Sequence, residues 1–82
     1  KNLREHLITL GRIIESSRQL VDAAEDRFEK SRIEFDRNRI TPEIFFTYRL
    51  ALDQSRLSLL ASVANYLNVR SQYVHILGAN SK

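Results

Sequence analysis

Reading from Leu3, apolar or small residues recur at alternating steps of four and three: Leu3, Leu7, Leu10, Ile14, Ser17, Val21, Ala24, Phe28, Ser31 and Phe35. A repeat averaging 3.5 residues returns to one face of a helix, which is the seam of a coiled coil. No proline interrupts it, and its one glycine, Gly11, costs only about 1 kcal/mol relative to alanine, too little to end a packed helix. The pattern predicts one helix over residues 3–37. Charged residues, among them Asp22, Asp26 and Lys30, occupy the other faces and mark them as solvated.

The apolar pattern breaks at Asp36-Arg37-Asn38-Arg39. Asn38 is the residue there that best tolerates the left-handed backbone found just past a helix end, so it is the predicted C′ residue. Thr41 and Pro42 follow. A threonine oxygen can accept a hydrogen bond from a free N–H of the next helix, and proline in the first helical position lacks a donor that would be orphaned there. Glu43, in that first turn, suits the positive end of the helix dipole. The turn is therefore placed at residues 38–41 and a second helix at 42–77, ending where Gly78 can adopt positive φ. Helices of this size are roughly 50 Å long, and a loop of a few residues makes them antiparallel. The expected fold is all-α, a long antiparallel two-helix coiled-coil hairpin.

The second helix carries two seams. Phe45, Tyr48, Leu52, Leu59, Tyr66, Val69, Tyr73 and Ile76 form one, and Leu50, Leu57, Leu60, Ala64, Leu67 and Val74 form the other. A two-helix hairpin covers only one stripe of each helix, so the second implies burial by another chain or by more of a longer chain. Assembly into a larger helical bundle or α-barrel is expected.

Composition narrows the function more than the fold. With 82 residues the chain is one domain at most, and small for a self-sufficient core. It begins with Lys1 rather than Met and shows no signal region, which reads as a fragment of a larger protein. Cysteine is absent, which removes disulfides and thiolate metal sites. His6 and His75 have no accompanying ligand set, so no metal or other cofactor is expected. The 13 basic residues are interleaved with 10 acidic ones for a net charge of +3, a mixed surface that does not suggest nucleic-acid binding. The most apolar stretch, Leu57 to Val63, is interrupted by Ser58 and Ser62 and is far short of the roughly 20 residues that cross a bilayer, so no direct membrane contact is expected of this segment. A thin rod offers no cavity to exclude water around a nucleophile, and the acidic residues form no Glu-x-x-His motif, so the chain is not expected to be an enzyme.

At the turn, Phe35-Asp36-Arg37-Asn38-Arg39-Ile40-Thr41 resembles the aromatic-x-x-Gly-x-x-Ser/Thr motif at the periplasmic hairpin tip of TolC-like outer-membrane efflux proteins, with Asn38 where that family usually has glycine. The likeness continues through Tyr66-Leu67 to Leu77-Gly78, at spacings from the tip similar to the family's. Upstream, Ala24 and Arg27-Phe28 are similar to looser family positions. The resemblance covers nearly all of this chain but only one hairpin of such a protein.

What the resemblance implies is specific. Members are trimers whose strands form an outer-membrane barrel and whose helical hairpins form a periplasmic tunnel wall that docks end-on with an adaptor protein and an inner-membrane pump. This chain would be one such hairpin, in the periplasmic portion of an outer-membrane protein, with Arg37, Asn38, Arg39, Ile40, Thr41 and Glu43 as candidate partner-binding residues. Where some members narrow the pore with acidic residues in the second tip helix, Ile44 and Thr47 stand here, so Glu43 is the nearest acidic substitute. The alternative from the seams alone is a self-associating coiled-coil interaction or scaffold module.

Overall fold

The computed structural model describes residues 2–80, with side chains described through Gly78. Two α-helices, α1 (Asn2–Asp36) and α2 (Pro42–Asn80), account for all regular structure among them. They lie side by side as an all-α antiparallel hairpin, a rod about 14 × 13 Å across its two short axes.

Every residue of the predicted α1 seam is buried or half-buried, while the residues between them are mostly exposed. Leu10, Val21 and Ala24 from α1 and Leu52 and Val69 from α2 form the apolar core. Burying one leucine there contributes about 2 kcal/mol. Small side chains recur every seven residues along α1, at Ser17, Ala24 and Ser31. The α2 side shows the same alternation, with Ser55 and Ser62 half-buried between Leu52, Leu59 and Tyr66. A buried hydroxyl without a partner costs free energy, and Ser31, Ser55 and Ser62 avoid that cost locally. Ser31 Oγ donates to the Phe28 carbonyl at 2.7 Å, Ser55 Oγ to that of Ala51 at 3.0 Å and Ser62 Oγ to that of Ser58 at 3.1 Å.

Three side-chain contacts fix the antiparallel register. Phe45 lies against Phe35 with ring centroids 4.6 Å apart and against Phe28 at 5.3 Å, so it is held between two α1 rings one heptad apart. Further down the rod, Arg56 Nη2 meets Glu25 Oε2 at 3.2 Å, a pair 31 residues apart in sequence.

The far end of α2 departs from expectation. The helix continues through Gly78 to Asn80, and no glycine has positive φ. Glycine permits a helix stop without imposing one; the penalty for keeping it helical is only about 1 kcal/mol. At the tip, α1 ends at Asp36 rather than 37, with Arg37 donating the last helical bond, N–H to the Ile33 carbonyl at 3.1 Å.

Candidate functional site: the hairpin tip and the outer face of α2

The tip is built from local hydrogen bonds. Asn38 has φ of 58°, the positive value expected of a C′ residue. Its N–H donates to the Phe35 carbonyl at 3.0 Å, and the Arg39 N–H reaches back to the Glu34 carbonyl at 2.9 Å. Those two bonds form a Schellman motif, which satisfies carbonyls that the end of α1 would otherwise leave free. Across the turn, Thr41 Oγ1 accepts from the Ile44 N–H at 3.2 Å, and the Thr41 carbonyl accepts from the Phe45 N–H at 3.0 Å. Thr41 is thus the N-cap of α2, with Pro42 in the first helical position.

This geometry separates the six candidate tip residues. Asn38 and Thr41 hold the turn itself. Ile40 is half-buried and lines a shallow depression with Arg27, Ser31, Glu34 and Tyr48. Arg39 is tethered to Glu34 at 3.5 Å. Arg37 and Glu43 are exposed, Arg37 beside Asn38 in the turn and Glu43 in the first turn of α2. The tip therefore presents two guanidinium groups on a rigid turn, followed by a carboxylate.

The second feature is the outer face of α2. Leu50, Leu57, Leu60, Leu67 and Val74 are all strongly exposed, as is Ala64. Phe46, four residues before Leu50, belongs to the same face and is the most exposed large apolar residue described, at 71%. Sequence reading began this stripe at Leu50; the four-three spacing back to Phe46 was the signal available. By helical rotation the stripe lies about 150° around α2 from the seam that packs on α1. Two polar residues interrupt it, Asp53, which pairs with Arg49 at 3.8 Å, and Ser71. The outward face of α1 is different in kind: Glu15, Asp22, Glu29 and Asp36 repeat there at seven-residue spacing, all exposed. Arg32 forms ion pairs with Glu29 and, at 3.4 Å, with Asp36.

His6 and His75 are exposed, and among the described residues no group of three or more His, Asp or Glu side chains is gathered that could hold a metal ion. Nor, among those residues, is any helix long and apolar enough to cross a membrane. Compared with protein-family models, curated proteins and solved structures, the chain finds no match.

Proposed function

We propose that this chain is a wall element of a bacterial outer-membrane efflux duct, a periplasmic hairpin whose tip docks an adaptor protein working with an inner-membrane pump. The observation that carries the reading is that α2 is apolar on two opposite faces, only one of which α1 covers. A rod of this kind is unfinished as a monomer and suited to side-by-side repetition, with α2 against a neighbouring hairpin and the polar faces toward water. The turn adds support. Asn38 holds a positive φ at the position where the resembling family usually has glycine, so the substitution keeps the backbone requirement that the motif implies.

In the duct the energy comes from the pump, and this hairpin is passive. The tip's work is recognition: Arg37 and Arg39 present charge to the adaptor, and Asn38 and Thr41 hold the turn rigid so that little conformational entropy is lost on docking. Charge reversal at Arg37 and Arg39 in the full-length protein should abolish co-purification of the adaptor and sensitise the source cells to exported compounds, while leaving the protein's own level unchanged. Retained co-purification and resistance would overturn the assignment of the tip.

The alternative, a self-associating coiled-coil module, rests on the same stripe and is favoured by a self-complementarity in it.

A further inference from the structure

We infer that the outer face of α2 is built to receive α2 of a second copy of this chain, antiparallel, in one register, giving a two-fold four-helix bundle. This goes beyond the duct reading and competes with it for the same face of α2, since hairpins around a duct point their tips the same way and these two point theirs apart.

The occupant follows from the pattern of the stripe. Its positions run 46, 50, 53, 57, 60, 64, 67, 71, 74 and, one step further, 78, a strict four-three alternation that ends on Gly78. Antiparallel coiled coils pair the two seam positions across the interface. With the two-fold axis beside residue 62, Leu57 meets Leu67 of the second copy, Leu60 meets its Ala64, and Leu50 meets its Val74. The two polar interruptions, Asp53 and Ser71, then fall opposite one another, where the serine hydroxyl can donate to the carboxylate.

The ends of the stripe match in the same register. Phe46, the bulkiest and most exposed side chain of the stripe, falls opposite Gly78, which has no side chain, lies in helical conformation and has open space where a Cβ would be. A shift of one heptad in either direction loses these matches: one sets Asp53 against Ala64 and Phe46 against Ser71, and the other sets Asp53 against Gly78 and Leu60 against Ser71.

Parallel pairing is disfavoured by charge, because it brings the two Asp53 carboxylates together within the seam. Docking on α1 of another copy is disfavoured because the exposed side of α1 carries the charged row from Glu15 to Asp36 with its Arg18 and Arg32 partners, and its exposed apolar residues, Ile8, Ile13, Leu20 and Ile33, do not recur at four-three spacing. The antiparallel register does bring Arg56 toward Arg70 of the second copy, but Arg56 is already held back by Glu25. The large apolar residues of the stripe range from 52% exposed at Leu67 to 71% at Phe46. A specific stable interface buries about 1,200 Å² or more in total, and the six large apolar side chains of the stripe, each more than half exposed, are the surface each copy has to supply it.

The 82-residue chain tests this directly. Sedimentation equilibrium at micromolar concentration should give twice 9.6 kDa. The chain has no cysteine, so Thr47→Cys supplies a single attachment point for a spin label. The antiparallel register places the two labels roughly 45 Å apart along the rod, whereas parallel pairing would bring them within about 10–15 Å. Gly78→Leu should leave the helical circular dichroism of the chain intact, because nothing in the hairpin meets a side chain there. It should weaken dimerisation roughly tenfold or more by colliding with Phe46 of the second copy. A monomer, a trimer or larger species, a short label distance, or a Gly78→Leu dimer of undiminished affinity would each overturn the inference.

Discussion

The residues that define this hairpin act through the backbone. At Asn38 a positive φ is mandatory, and a β-branched side chain resists it. Asn38→Val should therefore destabilise the chain by about 1–2 kcal/mol, read as a lower melting temperature, whereas Asn38→Gly should lose nothing. Equal melting of the two variants would show that the turn does not depend on this torsion. Thr41→Ala removes the oxygen that caps Ile44 N–H and should cost about 1 kcal/mol, while Thr41→Ser should restore most of it. At Glu29 the hydrogen bond from Arg32 holds the carboxyl below the usual range, outweighing the opposing effect of slight desolvation. A lowered folded-state pKa contributes stability at pH values above the unfolded glutamate range and loses it as pH falls through the folded value. The pair is exposed, so thermal melts of Glu29→Gln should show a small deficit near neutral pH that vanishes in acid. The residues that were legible in the sequence, Asn38, Thr41 and Pro42, are those whose role is set by immediate neighbours. Gly78 was misread because glycine tolerates either a helix end or a helix interior, and nothing in its local sequence decides between them.

At the scale of the element, α2 is the unusual one. Its inner seam was visible from spacing alone, except at Ser55 and Ser62, which occupy seam positions but look polar until their hydroxyls are seen bonding to their own helix. Its outer stripe was equally visible, because heptad repeats declare themselves whatever covers them. What the repeat could not state is which stripe α1 would take; that was settled by the aromatic contacts of Phe45 and the burial of Leu52. The two faces should respond differently to truncation. Leu52 is 4% exposed, so Leu52→Ala should cost about 2–4 kcal/mol in the hairpin itself. Leu57→Ala, on the outer face, should change the stability of the dilute chain by less than about 0.5 kcal/mol. Chemical denaturation of both variants at low protein concentration makes the comparison, and a large loss from Leu57→Ala would mean that the outer face already packs within one hairpin.

The molecule as a whole is a rod with one interior seam, and its buried apolar residues are few: Leu10, Val21, Ala24, Leu52 and Val69 among those described. Such a core stabilises a small chain only modestly, so covering the α2 stripe should add measurably to it. The melting temperature should rise with protein concentration, as mass action requires when association favours the folded state; a melting temperature independent of concentration would argue that the stripe stays uncovered. The rod shape was legible in the sequence because two long uninterrupted repeats joined by a short loop leave no other arrangement. The candidate site was legible only as positions. That the tip divides into residues that hold the turn and residues that face outward depends on hydrogen bonds that spacing does not reveal.

The central claim, that this hairpin belongs to the wall of an outer-membrane duct, is tested most directly in the source cells. They would be fractionated and probed with an antibody raised against residues 2–80, recording both the fraction and the apparent mass. The account predicts an outer-membrane signal at several times 9.6 kDa. A soluble band near 9.6 kDa would contradict it and leave the self-associating module as the function of this chain.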